Sequence, residues 1–200
     1  MGLAFEFLLI FILLPLAQKF DWINIKAFII LVAVCLLVSV YLFGSKSFNK
    51  KIFYRWKKID YKKHLLWFLL VTLATTLIIL FFKNGLLLEF PLGKTQKYFL
   101  GLLLYPLISV IPQEIIYRSY FYHRFQKLFP NQRLMIFINS FAFGFLHIIF
   151  DNWVAPIGAF LINFIFSLTY LKSKSLPVVC VEHYLYGIMI FTIGMGHYFK

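Results

Sequence analysis

"AFIILVAVCLLVSVYLFG", residues 27–44, runs for eighteen residues without one formally charged side chain. As a helix rising 1.5 Å per residue it reaches about 27 Å, close to the roughly 30 Å hydrocarbon core of a bilayer. Hydrocarbon offers no water to unpaired backbone groups, so a segment that enters it must bond internally. Working outward, comparable apolar runs lie at about 3–17, 65–82, 98–117, 135–150, 155–171 and 176–195. Seven such runs predict an all-α fold, a polytopic membrane helix bundle of about seven transmembrane helices. The composition agrees: 62% of the 200 residues are hydrophobic and only 14% are charged. A soluble domain of this length needs far more charged surface.

The first run lacks the basic flank and small-residue cleavage site of a signal peptide, and is read as a membrane helix. Glycine at position 2 suggests N-myristoylation, but Glu6 stands where serine or threonine is required. The net charge of +13 is unevenly placed. With alternating spans, the N-terminus and the loops around 45–64, 118–134 and 172–175 share one side and hold 14 of the 20 Lys and Arg residues. The positive-inside rule then places the N-terminus in the cytoplasm, in a multi-pass protein of the cell (cytoplasmic) membrane. Topology and attraction to anionic headgroups account for the charge, with no nucleic acid among the partners. The stretch 45–64 interleaves eight basic residues with Phe, Tyr and Trp, as a segment lying on the membrane face does. Cys35 and Cys180 fall inside apolar runs without CxxC spacing and read as packing residues.

Chemistry concentrates in the second half, dividing the chain into a transmembrane scaffold (1–97) and a core (98–200). Charges inside hydrocarbon are costly and ask for a reason. Glu114 and Arg118 stand one turn apart on one helix face, acid first, with Arg118 placed to reach the headgroups. His147 follows Phe143 by one turn, and Gly144 between them allows close helix approach. His183 lies early in the last span, directly after Glu182. Singly, each histidine reads as a hydrogen-bonded packing residue. Together, a carboxylate and two imidazoles on three helices are the parts of a water-activating hydrolase. Asn163, one turn before Ser167, is placed for hydrogen bonds between helices.

Three motifs carry a family resemblance: "QEIIYR" (113–118), "FGFLH" (143–147) and "HYLYG" (183–187). In order and spacing they resemble the CPBP intramembrane proteases, which include CAAX-type prenyl endopeptidases and bacteriocin-processing or immunity proteins. That family reads Glu-Glu-x-x-x-Arg, then Phe-x-x-x-His, then His-x-x-x-Asn. The resemblance spans about 98–197 and implies a cavity opening towards the cytoplasm. It implies an endopeptidase acting on membrane-associated peptides, prenylated or leader-like, through glutamate-activated water. Glu114, His147 and His183 are then catalytic, and Gln113, Arg118, Phe143, Glu182 and Gly187 are supporting.

This chain departs from the pattern twice. Gln113 replaces the first glutamate, which the family's mechanism treats as the base, and Gly187 replaces the last asparagine. The expectation is that Glu114 takes over as base, although consecutive helix positions differ by about 100°. Glu182 is a candidate compensating acid. One Glu and two His could also hold Zn²⁺ with water as fourth ligand. The absence of an HExxH motif favours metal-free chemistry. The alternative function is a catalytically silent member that binds a membrane partner, as immunity proteins do. A small transporter or proton pathway is a third reading, against which stands the lack of an inverted repeat and of paired broken helices.

Overall fold

The structure, a computed structural model, describes residues 2–199, the side chain of Asn84 excepted. It is an all-α bundle. Helix α1 covers 3–19, followed by α2 (Ala27–Gly44), α3 (Tyr61–Lys83), a short α4 (Glu89–Gly93) and α5 (Thr95–Arg124). Three more complete the chain: α6 (Gln132–Phe150), α7 (Val154–Ser173) and α8 (Leu176–Ile193). Six of these, all but α1 and α4, are long and apolar enough to cross a membrane. The protein is therefore multi-pass, with α1 as a shorter seventh helix packed on the bundle.

Local sequence sets the helix ends. Asn131 accepts hydrogen bonds from the backbone N–H of Arg133 and Leu134, capping α6 as an N-terminal asparagine should. Ser175 does the same for Val178 ahead of α8, with Pro177 in the first turn where no N–H is needed. Gly194 ends α8 at φ +97°, and a Cβ there would lie 2.1 Å from the Leu86 carbonyl oxygen. Only glycine fits that turn.

Cross-chain contacts identify the two ends of the bundle. At one end Arg124 pairs with Glu6, His123 meets Ser45, and Ser175 donates to the Arg55 carbonyl. At the other, Lys19 pairs with Asp151, and Asn152 donates to the Tyr198 carbonyl. The long helices thus alternate in direction, and the loops rich in Lys and Arg gather at the first end. Within 45–64 only Lys50–Phe53 forms a short helical turn before α3 begins. Glu6, the acid in the first apolar run, is held by Arg124 at 2.6 Å and by the Tyr120 hydroxyl.

Burial divides the helices. Of the α3 side chains only Ile79 is buried, whereas α8 buries nine, including Glu182 and His183. A helix apolar all round with so little covered by protein faces lipid. The core runs along α5–α8, extended by an aromatic cluster where Phe11 meets Tyr117, Phe121 and Phe125 edge to face. Helix α6 packs closely on α7 at Gly144. A Cβ there would lie 2.8 Å from Phe160 Cβ and 2.8 Å from the Pro156 carbonyl oxygen. Backbone cannot step aside as a flexible side chain can. Gly144→Ala should therefore cost about 1–3 kcal/mol by overpacking, read as earlier thermal unfolding in detergent.

Candidate functional site

Helix α5 carries the first motif on an irregular backbone. Two π-helical stretches, Pro106–Val110 and Ile115–Tyr120, flank a single α-turn, Ile111–Glu114. Pro106 and Pro112 lack the N–H that a regular ladder requires, and wide turns are one way a helix absorbs such residues. The result aims successive side chains of "QE" at different surroundings.

Glu114 is wholly buried and faces protein on both sides. Its Oε1 lies 2.8 Å from His183 Nδ1 on α8, and its Oε2 lies 2.9 Å from Arg118 Nε. The Arg118 contact is an ion pair whose N–H is out of line for a good hydrogen bond, since neither atom finds a hydrogen-bond partner. Arg118 itself is fully buried, contrary to the expectation that it reaches the headgroups. Its Nη1 donates to Asn139 Oδ1 at 2.6 Å and its Nη2 to Asn163 Oδ1 at 2.5 Å. Asn163 Nδ2 in turn donates to Asn139 Oδ1 and to the hydroxyls of Ser140 and Ser167. The rings of Phe143 and Phe166 sit 5.8 and 5.9 Å from the guanidinium carbon. Snorkelling loses because three helices supply acceptors and a carboxylate that water would otherwise provide.

Beside this network lies a cavity of about 390 Å³, walled mostly by apolar side chains. Its polar lining includes Gln113, Ser109, Tyr105, His147 and His183. Gln113 is therefore the motif residue on the wall, donating from Nε2 to Ser109 Oγ at 3.1 Å. Glu114 lies behind that wall. Among the described residues, no Asp or Glu lines this cavity. Its walls reach Ala27, Phe150, Met195 and Phe199, towards the Lys19–Asp151 end and away from the basic one.

Both imidazoles are fixed through Nδ1. In His147 it donates to the Phe143 carbonyl at 2.7 Å, within α6. In His183 it meets Glu114 Oε1, and the ring stacks on Phe166 at 4.9 Å with 23° between planes. Carbonyl and carboxylate oxygens accept only, so the proton assigned to each neutral ring sits on Nδ1. Each Nε2 then keeps its lone pair. Phe143 packs against both histidines, with ring centroids at 5.1 Å from His147 and 5.8 Å from His183.

Glu182 does not join this group. It pairs with His64 Nδ1 at 2.7 Å, tying the start of α3 to α8 near the basic end. Gly187 faces the ring of Tyr105, which fills the space its side chain would need. Among the described residues, no three His, Cys, Asp or Glu side chains converge as a metal site. Glu114, the third zinc ligand considered from sequence, is turned to His183 and Arg118, so the donor set does not fit the ion.

Sequence reasoning identified Gln113, Glu114, Phe143, His147 and His183 but missed Tyr105, Asn139 and His64. Asn139 left a readable signal, an amide inside an apolar span. Tyr105, one of twelve tyrosines in an aromatic-rich chain, left none.

Residues 95–189 match the family described as Type II CAAX prenyl endopeptidase Rce1-like. The matched segment contains all three motifs and the whole polar site, and it supports the resemblance to the CPBP/CAAX family of intramembrane proteases. No curated protein and no solved structure matched the chain.

Proposed function

We propose that this chain belongs to the CAAX protease family and hydrolyses membrane-associated peptides in the cavity, using water held between His147 and His183. The observation that carries this reading is the pair of imidazoles on separate helices, each occupied at Nδ1 and without a partner at Nε2 among the described residues. Water donates one proton towards His183 Nε2 and the other towards His147 Nε2. As its oxygen attacks the scissile carbonyl carbon, His183 takes the first proton. Glu114 stabilises the imidazolium that forms, as a carboxylate behind a histidine does in hydrolases. The same proton passes to the departing amine when the C–N bond breaks. Glu114 is then a positioning residue, and Arg118 fixes its carboxylate.

The apolar walls suit an apolar or lipid-modified peptide entering from the bilayer. The basic end is assigned to the cytoplasm, placing the N-terminus there, in the cell membrane. A second reading, a silent binding or immunity protein, is favoured by Gln113 on the wall where the family pattern has an acid.

The test is cleavage by purified, detergent-solubilised protein of a library of isoprenylated and unmodified peptides. Wild type should cut a subset. His147→Ala and His183→Ala should each lower turnover by about 10²–10⁴, the usual range for losing a proton-transfer group. Peptide binding without cleavage in wild type would move the assignment to the silent reading.

A further inference from the structure

The cavity contains a hydrogen-bond donor that the three motifs do not include. Tyr105 lies on α5 directly before Pro106, at the first π-helical stretch. Its ring crosses to α8 and is held against His183, Tyr184 and Phe191, with centroids at 6.1, 6.2 and 5.4 Å. Those contacts bracket Gly187. A Cβ built on Gly187 would lie 2.4 Å from the Tyr105 hydroxyl oxygen and 2.6 Å from its Cζ. The phenol therefore occupies the volume that any larger residue at 187 would claim. Tyr105 lines the cavity, and its hydroxyl has no hydrogen-bond partner among the described residues. A tyrosine held inside a protein generally gives its hydroxyl a partner. Here whatever fills the cavity is placed to supply that partner.

We infer that the Tyr105 hydroxyl donates a hydrogen bond to the backbone carbonyl oxygen of a bound peptide, from the space left open by Gly187. The inference deepens the proposed function by naming the peptide group recognised. It needs a peptide in the cavity, whether or not that peptide is cut. The position also suits the chemistry. A donor beside His183 stands next to the group that takes the proton from water. Charge develops on the carbonyl oxygen during attack, and a fixed donor there is worth more than one that must reorganise.

The test separates this role from catalysis by using two uncleavable apolar peptides. They are identical except that one has a ketone and the other a methylene in place of the same amide. Wild type should bind the ketone peptide more tightly, by about 5–10-fold for one neutral hydrogen bond. Tyr105→Phe keeps the ring packing and should bind both equally. The double change Tyr105→Leu with Gly187→Asn moves the donor onto α8, and should restore the preference that Tyr105→Leu alone removes. If cleavage is measurable, Tyr105→Phe should lower kcat by about 10²–10³ with little change in KM. A ketone preference that persists in Tyr105→Phe overturns the inference. Binding of neither peptide by folded wild type overturns it together with the peptide reading. Lack of cleavage with a Tyr105-dependent preference removes the hydrolytic reading alone.

Discussion

Arg118→Met will destabilise the folded protein by about 3–5 kcal/mol, the cost of leaving a buried charge without its partner. Glu114 is wholly buried, and its second oxygen faces Arg118 at 2.9 Å. Removing the guanidinium leaves that carboxylate to His183 alone and withdraws a donor from both Asn139 and Asn163. Both side chains are fully buried, with the rings of Phe143 and Phe166 against the guanidinium, so the carboxylate is not solvated in the folded protein. Thermal unfolding in detergent measures the effect. Glu114→Gln combined with Arg118→Met should recover part of the loss, since the uncompensated charge disappears while the asparagine acceptors stay short of a donor. Additive losses in the double variant would mean that the pair is not coupled as the distances indicate. Arg118→Lys is a further comparison: a lysine keeps the charge but cannot reach two amide oxygens and a carboxylate in one plane. It should fall between wild type and Arg118→Met.

The bundle was legible from residues alone because the bilayer imposes one rule everywhere: long apolar runs must be helices. Residues 27–44 were read to the residue. Gly144 was legible as a contact point for the same kind of reason, a small residue in an apolar helix. The meeting of Glu114 with His183 was also readable, since isolated polar groups in hydrocarbon seek one another. What sequence did not reveal was orientation. A regular helix cannot tell which of two adjacent residues faces inward once its turns widen, and the π-helical stretches around Ile111–Glu114 decide that here. Arg118 looked like a boundary residue because its acceptors, Asn139 and Asn163, lie on other helices. Tyr105 and Gly187 are 82 positions apart in sequence, and only the packed structure shows that one fills the gap beside the other.

Gln113→Glu carries the largest expected change in activity. The Gln113 side chain lies on the cavity wall with His147 and His183, whereas Glu114, the neighbouring acid, lies behind it in an ion pair. A carboxylate at position 113 has nearly the shape of the amide it replaces. It can accept from the Ser109 hydroxyl, which now accepts from Gln113 Nε2. Most importantly, it would be an acceptor facing the cavity where the proposed water would be held, with no cation already engaged to it. A well-placed general base contributes about 10²–10⁴ in rate, so turnover should rise by up to that amount over wild type. The gain should disappear in Gln113→Glu with His147→Ala if the new carboxylate and His147 hold the same water. Some stability will be lost, because a carboxylate in an apolar cavity is more costly to bury than an amide. That loss gives the comparison its force. A variant that is less stable yet faster has gained a catalytic group, whereas one that is less stable and no faster shows that the carbonyl of a bound peptide does not lie where position 113 can serve it. In the second case the cavity binds without cutting, and the glutamine is part of how it binds.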